Sequence, residues 1–147
     1  MSPSQRIITG IGLCAALAAG AVAGTARAGQ TSGAKTFVSP GGTQLKVLVD
    51  AATLGGTEVE IAELTFVPNT DSGNHRHAVT ETFYVLEGEM EQVVNDKPIK
   101  LGPGMVASIR STDQVRHKTG SAGARVLVIW APGGEIARVT GKWKPQP

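Results

Sequence analysis

The sequence predicts an all-β protein folded as a double-sheet jelly roll or barrel, and three observations carry that prediction. Apolar and polar residues alternate with period two, as in Leu45, Val47 and Val49. Clusters of Gly, Pro and Asn cut the chain into short segments at intervals of about 8–12 residues. After residue 28 no stretch carries the 3.6-residue apolar spacing of an amphipathic helix.

The amino end stands apart from this pattern. Arg6 is followed by an uncharged run from Ile7 to Thr25, rich in Ala, Leu and Gly, and then by Ala26-Arg27-Ala28. A basic start, an apolar stretch and small residues at a cleavage position describe a secretory signal over residues 1–28, so the protein is expected to be exported, periplasmic or secreted. A retained membrane anchor is the weaker alternative, because the run is poor in strongly apolar side chains. Cys14, the one cysteine, belongs to the apolar stretch and leaves with it. Of 14 basic and 12 acidic side chains, cleavage removes Arg6 and Arg27 and no acid, which leaves the charges balanced. A neutral surface argues against nucleic-acid or anionic-membrane partners. With 147 residues the chain is one domain's worth, and it must hold together without disulfides.

Residues 29–42 are small and polar and read as a flexible lead-in. The domain proper is expected over 43–131. Leu45, Val47 and Val49 make a strand, and Leu54-Gly55-Gly56 a turn. Val59, Ile61, Leu64 and Phe66 make a second strand whose phase slips near Ala62-Glu63, which predicts a bulge there. Pro68 to Gly73 is dense in turn formers. A strand then runs to a tight hairpin at Glu87-Gly88-Glu89, Met90 to Val94 runs back, and Ile99–Leu101 and Met105–Ile109 follow as short strands. Lys118 to Ala124 reads as a loop before the apolar strand Arg125–Trp130. The tail, 132–147, gives no clear pattern, although Trp143 has reason to pack back.

The segment from Asn74 to Gly88 organises the chemistry. It holds two of the three histidines, His75 and His77. In a strand, positions i and i+2 leave one face about 6.5–7 Å apart, so both imidazoles can lean onto one ion. A helix would turn them about 200° apart. The same phase predicts Val79, Glu81, Phe83 and Val85 inward. Glu81 is too far along a straight strand to join the pair; it reaches them if Ala78–Thr80 bends. The remaining histidine, His117, lies between a Gly-Pro-Gly turn and the last apolar strand. Three His and one Glu form a mixed N/O set suited to one divalent transition metal, Fe, Mn, Co, Ni, Cu or Zn.

These residues resemble the cupin superfamily, in its small single-domain form. Its first motif, G-x5-H-x-H-x3,4-E-x6-G, fits His75, His77, Glu81 and Gly88 at every interval, with Asn69 in the first glycine position. The second, G-x5-P-x-G-x2-H-x3-N, starts at Gly104 but meets Arg110 for proline and Thr112 for glycine. His117 falls two residues late, and Ser121 stands in the Asn position. The resemblance covers residues 43–131. It implies the cupin jelly roll, a metal held by His75, His77, Glu81 and His117, a small-molecule substrate or ligand, and a homodimer. Proteins of that family include quercetinase-like dioxygenases, decarboxylases, isomerases and lyases, besides members without a known reaction.

Other positions divide between functional and structural readings. Phe83, Val85 and Trp130 are candidate pocket walls whose default role is core packing. Arg110 either holds a substrate carboxylate at the rim or pairs with Asp113 at the surface, and the second is preferred. Arg76 points away from the ligands. Glu87, Glu89 and Glu91 form a solvated face. Tyr84, the one tyrosine, has the wrong parity to serve as a base beside the metal. The leading functional reading is a small metal-dependent enzyme of the dioxygenase type, with Glu81 as ligand or catalytic base. A non-catalytic periplasmic cupin that binds or senses a small ligand or metal is the alternative, together with an isomerase, decarboxylase or lyase.

Overall fold

The computed structural model describes residues 34–147, so the signal expected over 1–28 lies outside it. The elements in chain order are β1 (Thr36–Val38), β2 (Gln44–Val49), α1 (Ala51–Leu54), β3 (Glu60–Phe66), β4 (Thr80–Val94), β5 (Lys97–Leu101), β6 (Val106–Ile109), β7 (Val115–Ala131), α2 (Glu135–Thr140) and β8 (Lys144–Gln146). Every strand pair is antiparallel. No helix among the described residues is long and apolar enough to cross a membrane.

Two long strands build both walls. The first half of β4 lies between β6 and the second half of β7, which continues through β3, β2, β1 and β8. Its second half lies between β5 and the first half of β7. The second wall is extended by isolated bridges from Asp71 to Lys118 and from His75 to Val115. The result is the expected all-β double-sheet jelly roll. Phe83, Val85, Val115, Val126, Val128 and Leu45 are fully buried between the walls, each worth about 1.5–3 kcal/mol relative to exposure.

The inward phase predicted from the histidines holds through Glu81, Phe83 and Val85, all buried, with Val79 half-buried and Tyr84 facing out. Three local expectations are corrected. The hairpin at Glu87-Gly88-Glu89 is instead a bulge within one continuous strand, where the β4–β7 register shifts between Gly88 and Met90. The loop over Lys118–Ala124 is part of β7. Gly88 and Gly123 meet across this bend with φ of 73° and 69°. A Cβ at Gly88 would run into the Gly123 carbonyl and one at Gly123 into that of Phe66, so both positions require glycine. No phase slip occurs at Ala62-Glu63: Glu60, Ala62, Leu64 and Phe66 all point inward, and the irregularity sits on β2 between Val47 and Val49.

The segments flanking the expected domain are also structured. β1 falls inside the supposed lead-in, 29–42, and pairs with both β2 and β8. The tail forms α2 and β8, and Trp143 packs against the core as anticipated. α2 has the helical period that the sequence reading did not see, burying Glu135, Ile136 and Thr140.

Candidate metal centre

The turn-rich segment before the histidines does its work by hydrogen bonding to β7. Asn69 takes the left-handed conformation, φ 57°, and its N–H donates to the Gly120 carbonyl at 2.9 Å. Ser72 is stitched to His117 twice: its N–H donates to the His117 carbonyl at 3.0 Å, and its Oγ accepts from the His117 N–H at 2.8 Å. His75 and Val115 exchange both backbone bonds at 2.8 Å. His75 and His117 are thereby held on facing backbones. His77 belongs to no strand, so the expectation of one regular strand carrying both histidines is corrected to a single bridge at His75.

The three imidazoles nevertheless converge. The ring of His75 lies 4.9 Å, centroid to centroid, from each of the other two, and one ring nitrogen from each histidine lies within 4.8 Å of the others. The chain bends over Ala78–Val79 before β4 begins, which brings Glu81 back under them. Its Oε2 is 3.1 Å from His77 Nε2 and 3.6 Å from His117 Nε2. Neither approach has hydrogen-bond geometry, and Oε2 is left buried without a partner. The other carboxylate oxygen accepts the Trp130 indole N–H at 2.9 Å, which fixes the group's orientation.

Proton placement follows from the acceptors. His75 Nδ1 lies 3.0 Å from the Gly73 carbonyl and His77 Nδ1 3.0 Å from Glu135 Oε1. Each acceptor calls for Nδ1–H, so Nε2 carries the lone pair on both rings. Those two Nε2 atoms are 3.1 Å apart. The His75 and His77 lone pairs face each other, and the Glu81 oxygen faces that of His77, so these atoms repel unless a cation or a proton lies among them. Three His and a carboxylate are the donor types that transition-metal ions take. The three imidazoles therefore fit a divalent metal, with Glu81 Oε2 close to two of them. Titration reflects the same field. Burial pushes His75 and His117 down, His117 furthest, with neighbouring imidazoles adding to the effect. Burial also acts downward on His77, but Glu81 and Glu135 outweigh it and raise the ring.

Glu135 escaped the sequence reading. It is 1% exposed, and besides His77 it accepts the Ala78 N–H at 3.3 Å and an Arg138 N–H at 2.9 Å. One signal was available: it is the one acid after Asp113, with an arginine three residues on. Gln92, directly across from His117 on the neighbouring strand, was also missed. It is fully buried, and neither amide atom has a hydrogen-bond partner; nor has His117 Nδ1.

A cavity of about 980 Å³ opens above the histidines. Phe66, Phe83, Trp130 and Trp143 give it aromatic walls, and Arg76 and Arg138 reach it from one side. Of the candidate pocket residues, Phe83 and Trp130 line it while Val85 is buried in the core away from it. Arg110 is exposed and lies outside the lining, which corrects its rim role. Its expected ion pair with Asp113 is replaced by a backbone contact, the Arg110 N–H donating to Asp113 Oδ2 at 2.9 Å.

Residues 62–130 match the Cupin_2 family, a cupin domain. No curated protein matches the chain in sequence. Among solved structures, an RmlC-like cupin of Shewanella frigidimarina is similar with a TM-score of 0.59 at 18% identity, over 68% of this chain and 86% of that one. A polyketide cyclase of Streptomyces resistomycificus gives 0.55 at 28% identity, over 60% and 64% of the two chains. The oxalate decarboxylase of Bacillus subtilis, a protein with Mn(II) centres, gives 0.60 at 16% identity, over 73% of this chain and 31% of that one. The family match and these neighbours support the cupin superfamily, and the jelly roll is of the cupin type.

Proposed function

We propose that this cupin-fold chain is an exported, metal-dependent enzyme of the dioxygenase type that acts on a small organic molecule in the cavity above His75, His77, Glu81 and His117. One observation carries the reading: three imidazoles converge on the floor of an open, aromatic-walled cavity, with Glu81 Oε2, buried and without a hydrogen bond, against two of them. A bound divalent ion supplies Lewis acidity there and, when redox-active, electron transfer to or from substrate. The protein's own groups do the remainder. The Gly73 carbonyl and Glu135 hold two imidazoles with Nε2 inward. Trp130 holds Glu81 by one oxygen, which leaves Oε2 either to ligate the ion or, when not bound to it, to take a proton from bound substrate. Phe66, Phe83 and Trp130 exclude water and give an apolar substrate its contact area.

A second reading, a metal-dependent cyclase, decarboxylase or isomerase, has the polyketide cyclase neighbour in its favour. The test is oxygen uptake by untagged protein loaded with Fe(II), Mn(II) or Ni(II), against a panel of catechols, flavonols and diketones. The dioxygenase reading expects uptake with at least one of these, abolished in His77→Ala. Full metal loading without uptake on any of them overturns it, and carbon dioxide release or isomerised product without uptake selects the second reading.

A further inference from the structure

His75 and His117 are held by strand hydrogen bonds, one through its bridge to Val115 and the other within β7. His77 has neither support. What grips it comes from the far end of the chain. Arg138 Nη2 donates to the Arg76 carbonyl at 2.7 Å. Glu135 Oε1 meets His77 Nδ1 at 3.0 Å, and Glu135 Oε2 accepts the Ala78 N–H at 3.3 Å. Three successive residues, 76 to 78, are thus clamped by two side chains of α2.

The helix is itself pinned. Glu60, buried on β3, accepts the Ile136 N–H at 2.8 Å through Oε2, and the Gly133 N–H donates to the Thr57 carbonyl at 2.8 Å. Burying Glu60 and Glu135 is costly beside apolar packing of the same volume, so a purely architectural latch would not call for them. A carboxylate on Nδ1 has a specific effect: being acceptor-only when ionised, it requires the ring proton on Nδ1 and turns the Nε2 lone pair inward.

We propose that Glu135 is a positioning residue of the metal centre, and that α2, which lies outside the matched cupin segment, is the piece that completes it by clamping His77. The proposal rests on reading His75, His77, Glu81 and His117 as ligands.

The experiment compares wild type with Glu135→Gln and Arg138→Met by two readouts. Long-range ¹H–¹⁵N spectra of metal-free protein at pH 9 give the His77 tautomer. Titration with Co(II), followed by its visible absorption, gives affinity. Expected are Nδ1–H at His77 in wild type, mixed tautomers in Glu135→Gln, and Co(II) binding weaker by about 10–100-fold. Ile136→Ala, which loosens the helix without touching His77, is expected to leave the tautomer unchanged. An Nε2–H His77 in wild type overturns the proposal without any variant. So does Co(II) affinity in Glu135→Gln and Arg138→Met within twofold of wild type. Wild-type protein that takes up no Co(II) overturns the ligand reading as well, so the two failures are distinguishable.

Discussion

Glu81→Gln separates a functional carboxylate from a structural one by the signs of two changes. In metal-free protein the Glu81 Oε2 atom is buried, unpartnered, and faces imidazole nitrogens at 3.1 and 3.6 Å. Glutamine can keep the oxygen that accepts from Trp130 and present N–H groups to those nitrogens. An unsatisfied buried acceptor costs about 1–3 kcal/mol, so the variant is expected to be more stable by about that much, a rise in Tm of roughly 4–12 °C for a domain of this size. The comparison belongs above the raised His77 titration, where no ion pair with Glu81 is lost. Metal reverses the benefit. Wild type at 100 times its Kd in free Co(II) gains about 2.7 kcal/mol. A 10–100-fold loss of affinity leaves the variant about 0.4–1.4 kcal/mol of that gain. Calorimetry with and without Co(II) at pH 7.5 reads the increment. A metal-free variant that unfolds earlier than wild type, with the Co(II) increment intact, would show Glu81 to be a structural partner of His77 and refute the argument.

Two further outcomes are expected of metal-free protein. His75 and His117 are held below their ordinary value, so the stability they contribute is present above about pH 6.5 and is lost as the pH falls toward their depressed folded values. His77 is held above it, so its contribution is complete below about pH 6.5 and lost as the pH rises. Below about pH 6.5 only the two depressed rings still change, which gives a net loss on acidification from about pH 6.5 to 5, with a slope of at most about two protons, or about 2.7 kcal/mol per pH unit. Urea midpoints at four pH values measure it, and a midpoint that climbs on acidification contradicts the assignment. Gln92→Met removes a fully buried amide with no partner at either atom and is expected to raise stability by about 1–2 kcal/mol. A destabilisation of 1 kcal/mol or more in the same urea assay would mean that Gln92 has a partner and that the reasoning is wrong.

What local sequence conveys well is parity. The inward run through Glu81, Phe83 and Val85 survived, because side-chain direction within β4 is set by residue count, whereas His75 and His77 meet outside any regular strand. Glycine is more ambiguous. Gly88 and Gly123 were read as a hairpin and as part of a loop, and each instead bends a continuing strand. A positive φ serves a turn or a bulge equally, and the distinction lies in whether a partner strand continues beyond it. The expected slip at Ala62-Glu63 failed for a related reason. Counting apolar residues put Ile61 inside, yet Glu60 occupies the inward position because Ile136 supplies its hydrogen bond from 76 residues away.

By itself the sequence determined the β architecture and four ligand candidates, since period-two alternation, turn chemistry and donor type are properties of neighbouring residues. Tertiary structure alone decided which groups reach those four and hold them. Strand pairing set His117 opposite Gln92, Trp130 took one oxygen of Glu81, and a helix from the end of the chain brought Glu135 and Arg138 to His77. No local pattern encodes such contacts, because each spans tens of residues and exists only after the two walls have closed.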